Sequence, residues 1–295
     1  MLNFFIFNTA HYFCNYGLVI VIAVPWYIDV VRRMFGKEVP RILPYDYWVP
    51  YDSSQPVAFE LTLSLQVFQT LLCMSSLVAG DLIFCVFLSH ITTQFDLLSI
   101  RIQRFFYVPI DEQLIASYPL GEYSVLTADN EQIISPSERD ISHRKELFHI
   151  IFRHKALIRL AGDVEKLFTF SLLINFIYSS LNICFCGFCS LLVEKWNVFM
   201  YKIFLITALS QTWLLCWYGD KLLESSTRLS EALYNSGWYT ASPEVKKAIL
   251  IMMHRSQKSL HVTTYGFSII SLRSYTVIIK TSWSYFTLLL NFCNK

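Results

Sequence analysis

Charge is scarce in this chain of 295 residues: Asp, Glu, Lys and Arg make up only 16% of it, against about a quarter in ordinary soluble domains. Hydrophobic residues fill the gap at 54%, with 24 Phe and 17 Tyr among the aromatics, and mean hydropathy is +0.43. A soluble globule of this size lacks the interior volume for so much apolar surface, which makes lipid part of the solvent. Basic residues barely outnumber acidic ones, 24 to 22, so nucleic acid has no electrostatic footprint to bind. The same composition excludes disorder. Asn-x-Ser/Thr sequons are missing, as are a nucleophile elbow, a P-loop and a Gly-rich phosphate loop. The sequence therefore offers no catalytic constellation and no cofactor site, and an enzyme is not expected.

Eight cysteines are present, but they do not make a disulfide framework. Cys14, Cys73, Cys85, Cys184, Cys186, Cys189 and Cys216 lie inside long apolar runs, where free Cys behaves as a small hydrophobe. The Cys184, Cys186, Cys189 cluster lacks a fourth ligand and a polar surround, so no metal is expected there. His143, His149 and His154 do not share a ligand spacing and read as solvated or packing residues.

A bilayer-crossing helix needs about 20 mainly apolar residues. Five runs qualify: 4–28, 56–88, 167–193, 196–219 and 263–292. The first lacks the basic leading region and small-residue cleavage site of a signal peptide, and Pro25 is tolerable in a membrane helix. Because spans alternate sides, the connections at 90–166 and 220–262 face one way and carry fifteen Lys and Arg, while the opposite side carries six. The richer side should be cytoplasmic, which puts the N-terminus inside and the C-terminus outside. The fold class is thus an all-α membrane protein, a multi-span helical bundle.

The connections differ in character. Segment 40–56 (PRILPYDYWVPYDSSQP) holds four prolines and several Asp–aromatic neighbours, and reads as an ordered extracellular lid within the loop 29–55. Stretches 90–115 and 140–166 are helical by pattern: Ile91, Phe95, Leu98 and Ile102 recur on one face, as do Leu147, Ile151, His154 and Ile158. The second and third spans therefore continue into the cytoplasm as long helical extensions. Between them, 116–138, with Pro119, Gly121 and Pro136, reads as a flexible loop. The expected organisation is two spans and a loop in 1–90, a cytoplasmic helical extension in 91–166, two spans in 167–219, a further cytoplasmic segment in 220–262 and the last helix in 263–295.

Several stretches together carry a family resemblance. LSQTWLLCWYGDKLLESSTRLSEALYNSGWY (209–239), HRSQKSL (254–260) and SLRSYTVIIKTSWSYFTLLLNF (271–292) resemble the C-terminal half of an insect odorant receptor. ILPYDYWVPYD (42–52), DLIFCVFLSHITTQFDLL (81–98) and FRHKALIRLAGDVEKLF (152–168) resemble its upstream loop and its fourth and fifth helices. Ser259 stands where that family usually carries Pro. The resemblance implies a seven-helix protein with a cytoplasmic N-terminus and an extracellular C-terminus, of which these five spans would be helices three to seven. On that reading the first two helices are absent and the chain begins at an internal Met. It also implies a subunit of an odorant-gated, non-selective cation channel, a heterotetramer with a common co-receptor, in the plasma membrane of olfactory sensory neuron dendrites. The long cytoplasmic helices would form an anchor where subunits meet. Alternatives are a gustatory receptor of the same superfamily, loosely echoed by Ser284-Tyr285 and Asn291-Phe292, a G-protein-coupled receptor, or a nonfunctional truncated product.

Particular residues then acquire candidate roles. Tyr285, Leu288, Asn291 and Phe292 form one stripe of the last span. As a pore lining, Leu288 and Phe292 would gate by dewetting while Asn291 offers an uncharged oxygen to a passing cation; lipid-facing or packing roles are the alternative. A volatile, mostly apolar odorant calls for an aromatic pocket with few polar points, and Tyr16, Ile20, Phe59, Gln66, Tyr201 and Phe204 could supply one, though helix packing accounts for them equally. Asp81 lies in a membrane segment, either near its inner end or paired with Arg273 or Lys280 as a gating contact.

Overall fold

The computed structural model describes residues 32, 35, 50–51, 55–105, 136–192 and 197–293. Five α-helices account for most of them: α1 (Pro56–Phe105), α2 (Pro136–Leu192), α3 (Asn197–Tyr234), α4 (Pro243–Ser256) and α5 (Leu272–Cys293), with one 3-10 turn at Trp238–Thr240. Span 4–28 lies outside the described residues, as do Tyr16 and Ile20 and nearly all of the loops 29–55 and 116–138.

Proline starts three of these helices, Pro56, Pro136 and Pro243. Its fixed φ and missing N–H are harmless in a first turn, where the donor would go unused anyway. For the same reason residues 136–138 belong to α2 rather than to the preceding loop. At 50 and 57 residues, α1 and α2 far exceed the bilayer, which about 20 residues cross. Both are long and apolar enough to span it, each holding an 18-residue apolar window somewhere within Val57–Arg104 or Ile141–Cys189. The last span is shorter than its apolar run suggests: α5 begins at Leu272, and 263–269 is an antiparallel turn closed by a bridge between Thr263 and Ile269. Tyr265 and Gly266 adopt left-handed φ values of 53° and 78°, which no helix can include.

The described residues divide into two compact units. One comprises those up to Val86 together with Phe170–Trp217 and Ser271 onward; the other comprises Phe87–Thr169 and Tyr218–Ile270. In the second unit, α1 buries Leu88, Ile91, Phe95, Leu98 and Ile102, and α2 buries Leu147, Ile150, His154, Leu157, Ala161 and Val164. Both sets alternate steps of three and four residues, the period of a coiled-coil seam. The expected face on α1 is met in full. On α2 the seam runs through Ile150 and Leu157 instead of Ile151 and Ile158, of which Ile151 is exposed and Ile158 half-buried. α3 adds Leu222, Leu229 and Leu233, and α4 adds Val245, Ile249 and Met252. Asp96 accepts a 2.8 Å hydrogen bond from Ser225, and Arg101 pairs with Glu146.

Candidate functional site

α5 belongs to the first unit, and its burial is one-sided. Ser282 is buried, its hydroxyl 3.3 Å from the Ser180 carbonyl of α2, and Phe286 lies over Gly187 of the same helix. Small residues at such a seam let two membrane helices approach closely. The opposite half of α5 is open. Tyr285, Leu288 and Phe292 are 59%, 57% and 81% exposed, and Asn291 is exposed beside them. All four candidate pore residues therefore lie away from the seam with α2.

The open half also carries a polar stripe. At 100° per residue Arg273, Thr276, Lys280, Ser284, Thr287 and Asn291 fall within an arc of about 80°, and all but the half-buried Thr287 are exposed. Thr276 and Thr287 donate to carbonyls of their own helix, at Arg273 and Ser284, a habit that lets hydroxyls sit in lipid. Lys280 and Asn291 are dearer in hydrocarbon, and such residues in membrane helices face water or protein. Tyr285, Leu288 and Phe292 occupy the adjoining arc. This stripe was legible in the sequence as a helical wheel, yet of its six members only Asn291 is a candidate pore residue there, Arg273 and Lys280 being weighed only as partners of Asp81.

Within the first unit α1, α2 and α3 meet at one buried carboxylate. Asp81 of α1 accepts a 2.9 Å hydrogen bond from the Asn175 side-chain amide of α2, and a second from the Gln211 amide of α3. Gln211 also reaches the Asn175 carbonyl oxygen at 3.5 Å. Three helices share one closed polar ring. Neither Arg273 nor Lys280 is in it; both are exposed on α5. Asn175 and Gln211 escape sequence reading because nothing local in their segments marks them as partners of a residue about a hundred positions away.

Of the candidate pocket residues, Phe59 and Gln66 are buried on one face of α1 with Thr62 and Leu63. Tyr51, from the preceding loop, shares a 2.7 Å hydrogen bond with Thr62. Tyr201 and Phe204 are half-buried on α3. Cys184 and Cys186 are buried and Cys189 half-buried, all three as free thiols. Among the described residues no group of three His, Cys, Asp or Glu side chains could hold a metal.

Of the three histidines, His154 is buried, packed edge-on against Phe95 with ring centroids 6.0 Å apart, while His149 is exposed. Burial, and secondarily the Arg255 guanidinium, push the His154 imidazole down to about 4. The folded form therefore holds it neutral while the unfolded chain protonates it near 6.5. Its stabilising contribution is complete above that value and is lost as pH falls towards 4. The expected result is a melting temperature that drops between pH 7 and pH 5, with a shallower drop in His154→Phe. Equal slopes in thermal melts of the two proteins would refute this.

The profile of the 7tm Odorant receptor family matches residues 2–283. Odorant receptor 13a of Drosophila melanogaster is 29% identical over 282 residues, covering 89% of this chain and 61% of that protein. The odorant receptor coreceptor of Aedes aegypti is 22% identical over 327 residues, covering 91% and 68%. Among solved structures, the insect olfactory receptor OR5 of Machilis hrabei superposes with a TM-score of 0.77 at 16% identity, covering 98% of this chain and 66% of that one. The chain spans about half the length of several curated relatives it matches. Its helices, its fold and its profile agree: the chain belongs to the seven-transmembrane odorant receptor family and is a multi-pass helical membrane protein.

Proposed function

We propose that the chain is part of an odorant-gated, non-selective cation channel subunit that works with a common co-receptor, its last helix lining the ion path. The observation that carries this is the polar stripe on the open half of α5. Lys280 and Asn291 are exposed in the single chain on a helix otherwise suited to lipid. A central water-filled path shared between subunits satisfies them without desolvation, whereas lipid does not. Leu288 and Phe292, on the adjoining arc, narrow such a path on this reading and dewet it when closed. Odorant acts by binding the open arrangement more tightly than the closed one. Similarity to a coreceptor over most of the chain supports assembly with such a subunit. The excess of Lys and Arg in 90–166 and 220–262 supports a cytoplasmic N-terminus and an extracellular C-terminus in the plasma membrane.

The test is whole-cell recording from cells that co-express the chain with an insect co-receptor. Ser284→Cys and Asn291→Cys are expected to become sensitive to a charged thiol reagent during odorant stimulation, and Asn291→Lys to cut cation current several-fold. Ser282→Cys, on the buried seam, is expected to be insensitive. If all replacements along 284–292 leave conductance, ion preference and reagent block unchanged in an active assembly, the reading fails. Surface labelling of an N-terminal epitope in intact cells would overturn the orientation.

A further inference from the structure

The turn at 263–269 is built more firmly than a connection requires. Thr263 donates from both its backbone N–H and its hydroxyl to Glu165 Oε1 of α2, at 3.1 and 2.6 Å. Tyr265 N–H donates to Thr169 Oγ1 at 2.7 Å, and that hydroxyl in turn donates to the Thr263 carbonyl at 3.0 Å. Across the turn, Thr264 N–H meets the Ser268 carbonyl at 2.8 Å, and Ile270 N–H meets the Val262 carbonyl at 2.9 Å. These bonds fix the turn to two successive turns of α2.

Those two turns mark a boundary along α2. Glu165 and Lys166 are its last charged residues before an uncharged run that lasts to the end of the helix. At 1.5 Å per residue, Glu165 and Thr169 lie within about 6 Å of each other along the axis, a span comparable to the interfacial layer between hydrocarbon and water. The turn is thereby held at the level where the uncharged run of α2 starts.

At that level it presents two aromatic side chains and one aliphatic one. Tyr265 is 65% exposed, Phe267 80% and Ile269 41%. Tyr265 does so from a left-handed backbone conformation, which is uncommon for a non-Gly residue and disfavoured relative to Gly, Asn or Asp. A tyrosine kept where cheaper turn residues exist points to a use for its side chain. Aromatic rings with a polar edge concentrate at membrane interfaces for this reason.

We infer that the 263–269 turn is a membrane-interface anchor: Tyr265, Phe267 and Ile269 seat in the headgroup–acyl boundary of the leaflet where α2 enters the bilayer. The chain passes from this turn into Leu272, the first residue of α5. Its occupant is lipid, because the hydrogen bonds to α2 set the level of these side chains by the same helix that crosses the membrane.

The test uses the full chain in phospholipid nanodiscs, with the photoreactive residue p-benzoylphenylalanine placed at position 265 or 267. Tyr234, 68% exposed at the far end of α3, serves as the control position. After irradiation, mass spectrometry is expected to find phospholipid adducts at 265 and 267 several-fold above those at 234. Adducts to a second polypeptide at 265 and 267, without lipid, would overturn the inference in favour of a subunit contact. Lipid adducts no more frequent than at 234 would overturn it in favour of an aqueous turn. Both positions bear on the anchor alone, so the channel reading stands or falls separately.

Discussion

Gly219→Ala is expected to destabilise the receptor by about 3 kcal/mol, the upper end of the range for forcing atoms into a filled core. Gly219 sits in the middle of α3, where a glycine would ordinarily be a liability relative to Ala. A Cβ built there would stand 2.4 Å from the Ile270 carbonyl oxygen and 2.7 Å from an Ile270 side-chain carbon. The nearer atom is backbone, and Ile270 is fully buried and held by its N–H bond to Val262, so neither partner has room to retreat. The control is Gly162→Ala in α2, where a Cβ would meet nothing within 4 Å. There the helix should gain about 0.5–1 kcal/mol from the better helix former. Thermal melts of detergent-solubilised protein, followed by the loss of the monodisperse peak, would report both. If Gly219→Ala melts with the parent, the close approach of α3 to the 262–270 segment is wrong.

Gly219 also shows where sequence reading stops. Glycine amid LLCWYGDKLL is visible, but its reason is a backbone that returns some fifty residues later, and no local pattern encodes that. The long helices were legible because α1 carries a clean three-four seam from Leu88 to Ile102. On α2 the register slipped by one residue. Ile150-Ile151 and Leu157-Ile158 are apolar doublets, and the exposed faces hold Phe148, Phe152 and Leu160, so hydrophobicity alone does not say which member of each doublet points inward. The apolar run of the last span starts nine residues before its helix because 263–271 contains no charge, as a membrane helix would not. Hydropathy sees the missing charges and not the left-handed pair that turns the chain. The four candidate pore residues could be picked from the last span, whereas the polar arc beside them required knowing which side of α5 meets α2.

Asp81→Ala is expected to reduce folded, surface-expressed receptor severely, and Asp81→Asn much less. The distinction rests on what is left behind rather than on the bonds lost. Hydrogen bonds between membrane helices are worth on the order of 0.6 kcal/mol each when measured by double-mutant cycles, which would make two of them a modest contribution. Truncation to Ala, however, takes the acceptor from the half-buried Asn175 and Gln211 amides of two other helices, leaving Gln211 only its long 3.5 Å bond to the Asn175 oxygen. A fully buried polar group stranded in this way costs about 1–3 kcal/mol, and these two are half-buried, so the single change should cost about 2–4 kcal/mol. Asn at position 81 keeps an acceptor oxygen of the same reach, and one of the two amides retains its partner. Replacing all three residues together, as Asp81→Leu with Asn175→Leu and Gln211→Leu, removes the stranded groups along with their partner and should recover much of the loss. Surface biotinylation and thermal melts of the single, conservative and triple variants decide the matter. A triple variant that behaves as badly as Asp81→Ala would mean that the ring contributes through its own hydrogen bonds. In that case the three helices would be held by a polar contact far stronger than membrane helices ordinarily make.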